Sequence, residues 1–365
     1  MPRVPEAARP LAAVLDELTA EASPELTRPE GADRVRCLAC GHRCLVLPGL
    51  RGICQVRINV EGRLRVPFGY VGAIQCDPTE KKPFFHVLPG SDALTFGMLG
   101  CDLHCPYCQN WLTSQTLRDE KAIAPPQLTT PQLLADLAVR HGAALIASSY
   151  NEPLITSEWA GAVMRAGRRR GLITAYISNG NATPEALDYL RPVVDCYKVD
   201  LKAMSQANYR RLGAKLENVL ATIEGLKQRG FWVEIVTLLI SGYNDCDQEM
   251  REIARFLAGV DPLMPWHVTA FHPDYQMTDT AGTTARQLVR AAEIALDQGM
   301  RYTYCGNLPG QVAGFEDTRC HACGAALVRR FGYQILEDRL TPSDGTCPQC
   351  GTAVPGIWRR PAETR

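Results

Sequence analysis

The 365-residue sequence predicts an α/β fold, with a parallel sheet and crossover helices either doubly wound or closing towards a barrel. Three observations carry this reading. Short apolar runs alternate with amphipathic segments between residues 93 and 305. Polar residues and glycines collect just past the ends of those runs, where parallel α/β barrels place their active sites. The 15 cysteines fall mostly into three spaced groups, one inside this region and one on either side. With 46% hydrophobic and 21% charged residues, wholesale disorder is excluded. Equal numbers of basic and acidic side chains, 39 of each, argue against a general electrostatic grip on nucleic acid or an acidic membrane surface.

Residues 1–36 read as a helical extension, because 1–21 carry an amphipathic pattern. Asp16 and Glu17 interrupt its apolar run, which is therefore no signal peptide. The longest apolar stretch, 231–240, contains Glu234 and is about half the ~20 residues a membrane helix needs. A cytoplasmic, reducing compartment is expected, where thiolates stay available to metals.

Residues 37–90 form a cysteine-rich module. Cys37, Cys40, Cys44 and Cys54 follow a C-x2-C-x3-C-x9-C pattern that suits zinc or an auxiliary [4Fe–4S] cluster. Lys81, Lys82 and His86 read as a solvated basic turn, with an anion site as the alternative.

Residues 91–316 form the core. Strands are expected at 93–98, 144–149, 173–178, 195–200, 232–240, 266–271 and 302–305. Helices open at Thr130-Pro131 and Thr183-Pro184, where threonine supplies a cap oxygen and proline a pre-set first helical residue. Further helices are expected at 216–229, 247–258 and 284–298, with 120–131 as an exposed connector. Cys76, Cys196, Cys246 and Cys305 are scattered and read as packing residues.

Cys101, Cys105 and Cys108, a C-x3-C-x2-C loop directly after the first core strand, carry the chemistry. A [4Fe–4S] cluster usually takes four thiolates, so three leave one iron open to a substrate or cofactor. Zinc competes, but His104, flanked by thiolates, reads as a filler. Beyond the later strands lie Asn151-Glu152, Ser178-Asn179-Gly180, Asp200-Leu201-Lys202, His272-Pro273 and Gly306-Asn307. Each alone has an ordinary explanation as turn or surface chemistry; together they mark one edge of a sheet.

The loop, with Tyr107 before its last cysteine, resembles the radical S-adenosylmethionine (SAM) superfamily. That resemblance implies a partial parallel (β/α)6-type barrel, similar to pyruvate formate-lyase activating enzyme. It implies a [4Fe–4S] cluster on Cys101, Cys105 and Cys108 whose open iron chelates SAM, with Tyr107 by the adenine. Asn151 and Glu152 stand where glycyl-radical-enzyme activases have a Gly-Gly-Glu-Pro segment that contacts the SAM amine; the glycines are absent here. Ser178, Asp200 and Lys202 match positions near the SAM carboxylate and ribose, and His272 a histidine near the ribose. From about residue 37 to 358 the chain is also similar to AmmeMemoRadiSam-system radical SAM enzymes. This similarity rests on Asp77–Ser91, Gly100–Trp111, Tyr150-Asn-Glu-Pro153, Val199-Asp-Leu-Lys202, Pro265-Trp-His267, Phe271–Tyr275 and Tyr304-Cys-Gly-Asn307. It implies Memo-like and AMMECR-type partners, and the chemistry calls for a reductant protein such as flavodoxin or ferredoxin.

Residues 317–365 read as a zinc ribbon. Cys320-x2-Cys323 and Cys347-x2-Cys350 are knuckles separated by 23 residues, each followed by glycine. Seven arginines against four acids in 318–365 are weak grounds for nucleic-acid binding. Three function classes follow: a radical SAM enzyme, a glycyl-radical-enzyme activase, and a non-catalytic zinc-binding adaptor. No Gly-Lys dipeptide occurs, which excludes a P-loop.

Overall fold

The structure, a computed structural model, describes residues 10–122 and 124–360. At its centre is an eight-stranded sheet whose strands lie side by side in chain order. They are β1 (Ala73–Pro78), β2 (Asp92–Gly97), β3 (Leu145–Ser148), β4 (Ile173–Ser178), β5 (Cys196–Asp200), β6 (Trp232–Leu239), β7 (Trp266–Ala270) and β8 (Thr303–Gly306). From β2 to β8 every pairing is parallel. β1 runs antiparallel along the outer edge of β2, with Ala73 opposite Gly97 and Pro78 opposite Asp92. The two edges, β1 and β8, are not paired, so the sheet remains open. The α/β class, the mostly parallel sheet and its seven parallel strands are as expected; the seventh goes beyond the six of the (β/α)6-type resemblance, and the antiparallel edge strand is an addition.

The strands were legible because parallel strands are covered on both faces and therefore read as continuous apolar runs. β4 and β7 are buried at every position. Helices connect them: α1 (Pro131–Arg140), α2 (Ser157–Arg168), α3 (Pro184–Leu190), α4 (Gln206–Leu212), α5 (Leu216–Gln228), α6 (Asp247–Val260) and α7 (Ala285–Asp297). Thr130 and Thr183 cap α1 and α3 by accepting from Leu133 N and Ala186 N. Helix α2 was not anticipated. Nine of its twelve residues are buried, the small or polar Ser157, Glu158, Gly161 and Gly167 among them.

Two domain expectations are corrected. Among the described residues of 1–36, α-helix spans only Leu11–Glu17, with a 3-10 turn at Pro24–Leu26; strands lie at Thr19–Glu21, Thr27–Pro29 and Val35–Cys37, and residues 1–9 lie outside the described ones. Pro24 and Pro29 deny a longer helix, and Thr19–Glu21 pairs instead with Arg63–Pro67. Nor does the 37–90 module stand apart from the core, since β1 is an edge of the central sheet. The module also docks through a buried ion pair, Arg57–Glu158, and through Gly41 N donating to Asn181 O at 2.7 Å.

At the other end, Thr318–Arg319, Ala326–Phe331 and Gln334–Asp338 form a three-stranded antiparallel sheet. This unit packs on residues 84–88, where Ile357 bridges Val87 and donates to His86 O. Lys82 and His86 are therefore buried, not part of a solvated turn, while Lys81 stays exposed. Of the scattered cysteines, Cys196 and Cys305 are buried, Cys76 is half-buried and Cys246 is exposed. Among the described residues no helix is long and apolar enough to cross a membrane.

Candidate active site and metal centres

The loop after β2 leaves the sheet through two glycines with distinct duties. A Cβ at Gly97 would meet Ser149 O at 2.3 Å, so only glycine lets β2 pass the end of β3. Gly100 has φ +93°, and its N–H donates to Thr113 O. The loop then places Cys101, Cys105 and Cys108 on the wall of a cavity of about 400 Å³ at the C-terminal ends of the strands. Leu103 N–H donates to Cys101 Sγ at 3.3 Å, and Cys108 Sγ lies 3.2 Å from Ser114 Oγ. Burial pushes the Cys105 thiol up to about 12. Such thiols are protonated at neutral pH and become ligands by giving up protons to a metal. Three soft sulfur donors opening on one cavity fit an iron–sulfur cluster with an open side. His104 is exposed and lies against Gly213.

Most of the expected SAM-contacting residues line this same cavity: Tyr107, Asn151, Glu152, Ser178, Asp200 and Lys202. Asn151 Oδ1 accepts from Met98 N at 3.0 Å, which ties the end of β3 to the cluster loop. Tyr150, just before it, takes the left-handed conformation at φ +66°. Glu152 accepts from Ser178 Oγ at 2.7 Å, Asn179 N at 2.8 Å and Leu154 N at 3.1 Å. Burial, reinforced by the nearby Asp102, pushes its carboxyl up to about 8. Asp200 sits between Lys198 and Lys202; burial opposes its charge, yet the two ammoniums hold it below the usual carboxylate range. His272 is the exception. It is exposed on the loop after β7, with Nε2 3.0 Å from Gln109 Nε2, and does not line the cavity.

Several cavity and near-cavity residues were missed. Lys198 on β5, His267 on β7 and Glu80 line the cavity. Glu234 on β6 accepts from Phe85 N, His86 N, Trp232 Nε1 and His267 Nε2 at 2.7–3.0 Å, and those four donors favour its ionised form. A lone charge inside an apolar strand was the available signal for Lys198 and Glu234. Asp102 is fully buried and accepts from Asn179 Nδ2 at 2.7 Å and Asn181 Nδ2 at 2.8 Å.

In the C-terminal unit, Cys320, Cys323, Cys347 and Cys350 bring their sulfurs within 4.8 Å of one another. Zinc–sulfur bonds of about 2.3 Å set tetrahedral sulfurs roughly 3.8 Å apart. The Cys320–Cys350 and Cys323–Cys347 separations of 3.6 and 3.8 Å match that size, so the four fit one metal ion.

A thiol-lined cavity at the strand ends of an open parallel sheet defines a class, and sequence comparison agrees with it. The description "Radical SAM superfamily" matches residues 96–257, from the end of β2 to α6, so this stretch is a radical SAM domain. The chain as a whole belongs to one family with uncharacterized protein MJ0808 of Methanocaldococcus jannaschii. The two are 33% identical over 326 residues, covering 88% of this chain and 95% of that protein. It is also similar to the isethionate sulfite-lyase activating enzyme of Oleidesulfovibrio alaskensis, 27% identical over 128 residues, 33% of this chain and 41% of that one. Among solved structures, a domain of pyruvate-formate lyase-activating enzyme from Bacteroides vulgatus aligns with TM-score 0.40 at 20% identity, covering 45% of this chain and all of that one. A radical SAM methyltransferase from Sphaerobacter thermophilus aligns with TM-score 0.48 at 17% identity, covering 65% and 70%.

Proposed function

We propose that the chain holds a [4Fe–4S] cluster on Cys101, Cys105 and Cys108, binds SAM beside it, and abstracts hydrogen from a substrate held across the strand ends. The observation that carries this is the shared cavity: three cluster thiols and six of the seven residues expected at SAM line it together. A reduced cluster with SAM supplies one-electron cleavage of the sulfonium bond, giving methionine and a 5′-deoxyadenosyl radical. The protein's own share is to bind and orient. Glu152 offers its carboxyl to the SAM ammonium, whose positive charge favours the ionised form that burial opposes, and the hydrogen bonds from Ser178 and Asn179 fix where it points. Lys198 and Lys202 around one Asp200 leave a net positive charge that suits the SAM carboxylate. Tyr107, buried and edge-on to Tyr243, gives the adenine an apolar face. Burial of these groups keeps water from a reactive intermediate. The ribbon cysteines hold structural zinc. The partners are a flavodoxin- or ferredoxin-class reductant and proteins of the AmmeMemoRadiSam type.

Anaerobically reconstituted protein should produce 5′-deoxyadenosine from SAM under a strong reductant, and the Cys101/Cys105/Cys108 triple-Ala variant should not. Undiminished production by that variant would refute the reading. The likeness to an activating enzyme favours a second reading, installation of a glycyl radical on a partner protein. A glycyl doublet in the EPR spectrum of such a partner would select it.

A further inference from the structure

We propose that Cys37, Cys40, Cys44 and Cys54 hold a second iron–sulfur cluster, which relays electrons to the cluster at Cys101, Cys105 and Cys108. The three cysteine groups differ in how closely their sulfurs gather. The ribbon's four form a compact set sized for one metal ion. Among the described residues no other three His, Cys, Asp or Glu ligand atoms come within 4.8 Å of one another. Neither the N-terminal four nor the three of the cluster loop are therefore gathered as tightly as the ribbon's. Thiols of the N-terminal group are nonetheless neighbours: Cys44 Sγ and Cys54 Sγ both lie within 3.8 Å of the point where a Cβ on Gly52 would sit. A wide, all-thiol cage suits a cluster whose ligands bond to four separate irons.

A second feature points the same way. The Arg57 guanidinium is buried, and its Nη1 lies 3.8 Å from Cys37 Sγ. Hydrogen bonds to the sulfurs and local charge are the protein's means of setting a cluster's potential. Glu158 balances the arginine, so the device is electrically compact.

The two thiol groups also share a wall. The peptide oxygen of Cys54 lies 3.3 Å from the missing Cβ of Gly100, the residue before Cys101. Arg118 donates to Ile53 O at 2.6 Å and to Leu103 O at 2.8 Å, clamping both loops. His42, two residues from Cys40, reaches within 3.7 Å of Asp102, which follows Cys101. One electron from a low-potential protein carrier would reduce the N-terminal cluster from the 2+ to the 1+ state. Its onward transfer to the loop cluster restores the 2+ state, with no atom gained or lost. The relay role rests on the radical reading above; the metal assignment does not.

Metal and sulfide analysis with EPR on the reconstituted full chain tests this. Wild type should hold about eight iron and eight sulfide, with about one zinc. The Cys101/Cys105/Cys108 triple-Ala variant should keep about four iron in a cluster whose EPR signal ignores SAM. Cys37→Ala/Cys40→Ala should keep about four iron in a SAM-responsive cluster, and a reduced flavodoxin should reduce it more slowly than in wild type. Retained ribbon zinc certifies folding in each variant. Two zinc in wild type, with no iron left in the triple variant, would overturn the metal assignment and leave the radical reading standing. Iron confined to the N-terminal group would refute the radical reading and uphold this site. Equal flavodoxin reduction rates with and without the N-terminal thiols would overturn the relay.

Discussion

Glu80 shows how much of the interior chemistry depends on single buried groups. Its Oε1 accepts from Gly90 N at 3.0 Å and lies 3.9 Å from Arg330 Nε, while Oε2 finds no hydrogen-bond donor among the described residues. Burial pushes its carboxyl up to about 7, against the partial pull of Arg330. The folded protein thus holds a proton between pH 4.5 and 7 that the unfolded chain has released. Stability from this group is full below 4.5 and is lost as pH rises through 7, a difference on the order of 3 kcal/mol. Glu80→Gln keeps an acceptor for Gly90 and removes the titration. Its urea midpoint should gain on wild type between pH 5 and pH 8, and parallel curves would refute the assignment. Glu152→Gln should weaken SAM binding by about ten- to a hundredfold, as expected for losing one charge-assisted hydrogen bond; equilibrium dialysis reads this directly. At this scale the sequence displayed the cysteines and the polar strand ends. It concealed pairings such as His42 with Asp102, which only the folded path of the chain brings together.

Elements were legible in proportion to their periodicity. All seven parallel strands appear within about a residue of their expected ends, because each is a buried apolar run between turn residues. The capped helices were equally plain. The two- to six-residue strands before residue 79 were not, since very short length leaves no period to read. The cluster loop makes a sharper test of element geometry. Gly100→Ala would put a methyl 2.9 Å from Val56 Cγ1 and 3.3 Å from Cys54 O, at φ +93°. A penalty above the roughly 1 kcal/mol of an ordinary glycine substitution is expected, together with poorer iron incorporation. An unchanged melting temperature and iron content would show that the module does not press on the loop.

Across the whole molecule, the ribbon is part of the cavity's surroundings. His86 joins it to the core: Nδ1 donates to Pro355 O at 2.7 Å, and Nε2 accepts from Tyr304 Oη at 2.6 Å. Tyr304 Oη lies 3.0 Å from Thr318 Oγ1, which accepts from Arg330 at 2.8 Å. From the ribbon, Tyr333 reaches the cavity wall and its hydroxyl donates to Asn307 Oδ1 at 3.3 Å. Cys320→Ala/Cys347→Ala should lose the zinc, lower the melting temperature and loosen this rim, seen as faster hydrogen exchange around residues 84–88 and 304–307. Unchanged exchange there would show that the ribbon only rests on the core. The tie from His86 to Pro355 spans 269 positions, and that from Arg57 to Glu158 spans 101. The cysteine-rich module and the ribbon thus both fold back onto the core. During synthesis the first cysteines emerge long before the helix that covers them, and the seat for the ribbon at residues 84–88 stands open until Pro355 and Ile357 arrive. Assembly therefore has a timetable: metals delivered early meet open thiols, and the sites close only once the later segments have reached them.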